Sequence, residues 1–127
     1  MSPLILDAGA LMALERGDAR LGLRINEAMR AGHTLRTHPL VLAQVWRGGG
    51  GRQARLAVAM RAVEVVPLDE ESGKRVGELL GRAGSADAVD AAVVDLAAAD
   101  DVILTSDPED LTALVAASGR AVRVVRC

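Results

Sequence analysis

The sequence predicts an α/β fold, a three-layer α/β/α sandwich around a mainly parallel central sheet. Short apolar runs alternate along the chain with segments of helical periodicity, which is the order that parallel strands joined by helical crossovers require. The runs themselves do not alternate apolar with polar. Leu4–Leu6 and Val102–Leu104 are apolar throughout and Val63–Val66 nearly so, as expected of strands covered on both faces. A chain of 127 residues, 50% of them hydrophobic, suits one domain over residues 1–127 with a core of its own.

The elements follow in order. Pro3 to Leu6 is a short apolar run ending at Asp7, and residues 8–15 then read as a helix, giving strand, turn, helix. An amphipathic helix over 20–30 stops at Gly32, and residues 34–37 form a brief strand. Pro39 suits the first turn of the next helix, which the glycines 48–51 end as a loop. Residues 52–61 are helical, and the β-branched run 63–66 is a strand closed by Pro67. Asp69 or Glu70 opens a helix toward Leu80, and residues 81–85, with two glycines, read as a break. Helix 88–99, strand 102–105, helix 107–117 and strand 121–125 complete the chain.

Composition narrows the function. A net charge of −2 argues against indiscriminate coating of nucleic acid, which draws on many basic contacts to phosphates, so any such contact must be local. Phe and Tyr are absent and Trp46 stands alone, so a stacking platform of the RRM or OB kind cannot be built. No apolar run spans a bilayer and no secretory signal is evident, so a soluble cytoplasmic protein without membrane contact is expected. Cys127 is the only cysteine, which excludes an intramolecular disulfide. His33 and His38, lacking further clustered ligands, make a poor zinc site.

The chemistry lies in carboxylates at strand ends and helix starts. Asp7 follows the first strand, Asp87 and Asp90 flank the start of helix 88–99, and Asp107 follows Thr105-Ser106 with Asp110 three residues on. In open parallel sheets, ligands bind beyond the carboxyl ends of the strands. Carboxylates gathered there repel one another and call for a cation, for which Mg²⁺ or Mn²⁺ with oxygen ligands is the natural choice. The alternative is ordinary helix capping. Asp87 and Asp107 stand at N-cap positions, with Asp90 and Asp110 where reciprocal capping residues stand. Asp7 resists that explanation, because a carboxylate directly after an apolar strand is costly unless a cation or hydrogen bonds meet it. Asp69, Asp95, Asp100 and Asp101 read as solvated charges.

Three segments carry a resemblance: Leu4-Ile5-Leu6-Asp7-Ala8-Gly9-Ala10-Leu11, Ser85-Ala86-Asp87-Ala88-Val89-Asp90-Ala91-Ala92-Val93-Val94, and Leu104-Thr105-Ser106-Asp107-Pro108-Glu109-Asp110-Leu111. They resemble the successive acidic motifs of PIN domains, of the kind found in VapC-type toxin ribonucleases, and together they span nearly the whole chain. The resemblance implies a Mg²⁺- or Mn²⁺-dependent endoribonuclease, held inactive by a cognate antitoxin and usually homodimeric. Asp7, Asp90 and Asp107 match the catalytic, metal-binding carboxylates. Asp87 and Asp110 match frequent acidic accompaniments, and Thr105 matches the small hydroxyl residue before the last motif. One position departs: the family's usual helical glutamate corresponds here to Gln44, an amide that can hold a water but brings no charge. Gln44 therefore also supports the alternative of a catalytically silent PIN-type interaction module.

RNA phosphates need basic partners. Arg47, Arg52 and Arg55 surround the glycine loop, and Arg52 and Arg55 share a helix face, which makes the three candidate RNA contacts. Each is otherwise an ordinary solvated charge. Trp46 reads as core or interface, and Leu11, Met12, Leu14 and Met29 as packing within the core or against a partner.

Overall fold

The computed structural model describes residues 2–127. Its elements are β1 (Leu4–Leu6), α1 (Ala8–Arg16), α2 (Ala19–Arg30), β2 (Leu35–Thr37), α3 (Pro39–Val45), α4 (Ala54–Met60), β3 (Val63–Val65), α5 (Glu70–Ala83), α6 (Ala88–Leu96), β4 (Val102–Thr105), α7 (Pro108–Ser118) and β5 (Arg123–Arg126). The five strands form one sheet in the order β3-β2-β1-β4-β5, and every pairing is parallel.

Strand order explains the layers. From β1 the chain steps outward to β2 and β3, then crosses β1 to reach β4 and β5. Because parallel crossovers are right-handed, steps in opposite directions leave their helices on opposite faces. One face accordingly carries α1, which packs against α2, α3 and α4, and the other carries the mutually packed α5, α6 and α7. The direction reverses between β1 and β4, and a crevice opens there beyond their carboxyl ends. Asp7 and Asp107 follow those two strands.

The core consists mainly of Ile5, Leu6, Ile103 and Leu104 from the central strands, with Leu11, Val93, Val94, Leu111 and Leu114 from the covering helices. Glu64 lies on the edge strand β3, where its exposed carboxylate accepts from Arg36 of β2 at 2.5 Å. An edge position explains how a charge enters an otherwise apolar strand.

Several boundaries differ from the sequence reading. The expected break over 81–85 is largely helix, because α5 continues to Ala83 and ends at Gly84, whose φ of 66° makes it the left-handed cap. Gly81 costs helix propensity without ending the helix, and packing of Leu80 and Ala83 on the core outweighs that cost. Helix α6 stops at Leu96 instead of Ala99. Ala97 is buried and extended, and Asp101 accepts from the Ala98 N–H at 2.8 Å. This closes a tight turn in which Asp100 takes a φ of 73°. The last strand is Arg123–Arg126, two residues later at its start than expected, because its register pairs Val102 with Arg123.

The reading of Asp69, Asp95, Asp100 and Asp101 as solvated charges holds for the exposed Asp69 and Asp100 and needs correction for the other two. Asp95 has a side chain only 6% exposed, held by Arg75 and Arg120. Asp101 is buried, and Asp69 caps α5 through a reciprocal bond with Ser72.

Candidate functional site

Asp7 is set by two elements at once. It leaves β1 in extended conformation and caps α1, its Oδ1 accepting from the Ala8 N–H at 2.8 Å. Its Oδ2 accepts from the Thr105 hydroxyl at 2.9 Å, a buried bond across the crevice from β1 to β4. The same hydroxyl oxygen accepts from the Asp107 N–H at 3.1 Å. Thr105 thus ties the ends of the two central strands together, and its small hydroxyl can both donate and accept. Asp7 is buried, yet both its carboxylate oxygens are met.

Asp87 and Asp107, equivalent as N-caps in sequence, separate in the structure. The Asp87 Oδ1 accepts from the Asp90 N–H at 3.0 Å, so Asp87 is a working cap. Asp107 occupies the N-cap position of α7 without any side-chain cap bond, and its exposed carboxylate has only the Ser106 hydroxyl at 3.4 Å. The Asp107 carboxylate is therefore left available at the start of α7.

Asp90 shows that the acids converge. Its carboxyl is pushed up to about 7, first by burial, then by the charges of Asp87, Asp7 and Asp110. Three segments remote in sequence therefore place negative charge around one half-buried carboxyl. Asp107 is joined to this group through its backbone and Thr105; its charge is not among the causes acting on Asp90.

Among the described residues, no three His, Cys, Asp or Glu side chains are grouped closely enough to hold an ion as they stand. In kind the donors fit a hard divalent cation, since all are carboxylate or hydroxyl oxygens and their mutual repulsion is what a cation relieves. The exposed Asp107 and Asp110, at the start of α7, are the carboxylates with most freedom to turn inward.

Gln44 is exposed on α3, a helix that packs against α6, the carrier of Asp90. We expect Gln44→Glu to tighten Mn²⁺ binding by about tenfold, because hard cations prefer charged oxygens and nearby ligand support is worth that much. Calorimetric titration measures it, and unchanged affinity would remove Gln44 from the site.

The candidate RNA arginines look different in three dimensions. Arg47 donates to the carbonyls of Ala43 and Trp46 at the end of α3, and Arg55 to that of Arg16 at the end of α1. Both sit on the negative ends of helices. Arg52 is exposed. Trp46 is 42% exposed at the α3 C-cap, as are Met12 and Met29 to the same degree, whereas Leu11 is buried in the core. His38 is buried and caps α3, its Nδ1 accepting from the Leu40 N–H at 3.0 Å. Burial holds its pKa below the ordinary value, in keeping with a neutral, accepting ring.

Two residues near these features escaped the sequence reading. Gln53 is buried, accepts from the N–H groups of Arg47 and Gly48 and donates to the Val45 carbonyl at 2.8 Å, pinning the glycine loop. Gly9, in the first turn of α1, faces Ser106 so closely that a Cβ there would lie 2.8 Å from the Ser106 backbone nitrogen. The available signal was a glycine in a helix start, where alanine is otherwise preferred.

A chain of the crystal structure of VapBC2 from Rickettsia felis bound to a DNA fragment from their promoter superposes with a TM-score of 0.73 over 98% of each chain. The fold is a PIN-like three-layer α/β/α sandwich. At 11% identity the likeness is one of fold. No protein-family model and no curated protein matches the sequence. In this fold the switch point between β1 and β4 is occupied by Asp7, Thr105 and Asp107. No helix among the described residues is long and apolar enough to cross a membrane.

Proposed function

We propose that the chain is a Mg²⁺- or Mn²⁺-dependent endoribonuclease, the toxin of a type II toxin–antitoxin pair with a cognate antitoxin as partner and a homodimeric state. The observation that carries this reading is the junction of β1 and β4, where Thr105 bonds both the Asp7 carboxylate and the Asp107 N–H; the upward shift of Asp90, caused first by burial and then by the charges of Asp87, Asp7 and Asp110, supports it. The PIN fold and the three acidic motifs support it.

Asp7, Asp90 and Asp107 would hold the ion, with Asp87 and Asp110 adding charge and Thr105 fixing Asp7. When bound, such an ion supplies positive charge to a phosphate under attack and to the attacking water. Thr105 keeps Asp7 from turning away, since its hydroxyl holds Oδ2 while the Ala8 N–H holds Oδ1. Asp90 is assigned as a ligand in preference to a proton carrier, because a cation beside it would favour its ionised form and cancel the upward shift.

Incubating the protein with single-stranded and structured RNA, with Mn²⁺, Mg²⁺ or a chelator, tests the proposal. Cleavage that requires the ion is expected. Intact RNA under every condition would leave the silent interaction module, to which Gln44 points.

A further inference from the structure

We propose that the cleft between α2 and the end of β5 is the seat of the RNA backbone, a phosphate-binding subsite built from Arg20, Arg24 and Arg126. The inference rests on the ribonuclease reading and adds where the substrate strand is gripped.

The cleft has a volume of about 450 Å³ and is lined by Asp18, Arg20, Leu21, Arg24, Arg126 and Cys127. Arg20 and Arg24 are four apart on α2 and so lie on one face of the helix. Both are exposed, and neither forms an ion pair among the described residues. Arg126 approaches from the sheet. Its guanidinium donates to the Ser106 carbonyl and to Glu109 Oε1, each at 2.6 Å, which fixes its position. Asp18, the one acid in the lining, caps α2 by accepting from the Leu21 N–H at 2.9 Å. The N-terminal end of α2, with its positive dipole, faces the same space.

The cleft adjoins the carboxylates. The Cys127 N–H donates to the Thr105 carbonyl at 2.9 Å, and the Thr105 hydroxyl donates to Asp7. Thr105 therefore stands between Cys127, at the edge of the cleft, and Asp7. That adjacency answers an electrostatic difficulty. A carboxylate cluster repels the phosphodiester chain flanking the bond to be cut, and a protein of net charge −2 has no general attraction to offset this. Guanidiniums beside the cluster supply it locally, in the geometry that matches phosphate oxygens. Arg20 and Arg24 are the free cations of this wall, whereas Arg126, like Arg47 and Arg55 at the glycine loop, is already engaged on a backbone carbonyl and borders the cleft from the sheet.

The test is steady-state cleavage of a fluorescein-labelled single-stranded RNA in Mn²⁺, at several salt concentrations, by the parent, Arg20→Gln/Arg24→Gln and Arg20→Lys/Arg24→Lys. The glutamine pair should raise KM about tenfold with kcat within twofold, as expected for loss of binding shared by ground and transition states. Its plot of log(1/KM) against log[salt] should be shallower by about 1.4, since a single-strand phosphate contact contributes about 0.7. The lysine pair should recover most of both. Melting temperatures should be unchanged, because both side chains are exposed.

Arg30→Gln/Arg61→Gln, a far-edge pair in that it lies before the amino ends of β2 and β3, away from the strand ends that carry Asp7 and Asp107, removes the same charge and should leave KM at the parent value. If the glutamine pair cleaves with the parent KM and salt slope, or the far-edge pair weakens binding equally, the subsite is wrong while the ribonuclease reading stands. If the parent cleaves no RNA, that reading fails and the subsite with it.

Discussion

Asp7→Asn should abolish ion-dependent RNA cleavage and make the apo protein more stable. Loss of a partner that merely supports a metal ligand costs 10–100-fold, so loss of a charged ligand should cost more than about 100-fold in activity. The fold should tolerate the change. An asparagine can still accept from the Ala8 N–H through its carbonyl oxygen, while its amide donates to the Thr105 oxygen in place of the bond Thr105 gives the carboxylate.

The stability gain comes through Asp90. In the parent its carboxyl keeps its proton to about 7, against 3.8 in the unfolded chain. Between those values the folded state holds more protons, so parent stability falls as pH rises from about 4 to 7 and levels off above. Asp90 is only half-buried, and after solvent screening that loss amounts to about 1–2 kcal/mol. Asp7→Asn removes one of the charges responsible and should flatten the slope. Urea denaturation with a chelator at pH 4.5 and pH 8 measures it, and RNA cleavage at the parent rate under limiting Mn²⁺ would take Asp7 out of the ligand set.

What the sequence made legible was whatever depended on pattern along one segment. The apolar runs Leu4–Leu6 and Val102–Leu104 signalled a sheet covered on both faces, and the parallel pairing of β1 with β4 sets Asp7 beside Thr105. Contacts between segments were not legible. Asp95 reads in sequence as a surface helix residue, and only the approach of Arg75 from α5 and Arg120 from the α7–β5 connection covers its carboxylate. Arg20 and Arg126 lie more than a hundred positions apart and meet only because β5 runs parallel to β4 and ends beside α2. Arg47 and Arg55 looked free for a substrate because the carbonyls they meet, at helix ends, have no sequence signature. Asp87 and Asp107 were equivalent as caps until the hydrogen bonds distinguished them.

Gly9→Ala should be among the most damaging single-methyl changes in the protein, although alanine is the better helix former. A Cβ at position 9 would lie 2.2 Å from Ser106 Oγ, 2.6 Å from Ser106 Cβ and 2.8 Å from its backbone nitrogen. The hydroxyl can rotate away, but the nitrogen belongs to the segment between Thr105, which holds Asp7, and Asp107. Overpacking against backbone costs about 2–3 kcal/mol, enough to lower the melting temperature by roughly 10 °C in a chain of this size. Cleavage should fall further than the unfolded fraction explains, because the shift moves Asp107 relative to Asp7. Gly77→Ala in α5 is the contrast. A Cβ there meets nothing within 4 Å, so the same methyl should stabilise the protein by about 0.5–1 kcal/mol. Adding Ser106→Gly to Gly9→Ala removes the two side-chain contacts and leaves the backbone one, so stability should return in part and not in full. Thermal melts of the four proteins, with RNA cleavage at a temperature where all are folded, decide the matter: a Gly9→Ala variant as stable and active as the parent would show that the approach of α1 to the β4–α7 turn does not set the spacing of the acidic cluster.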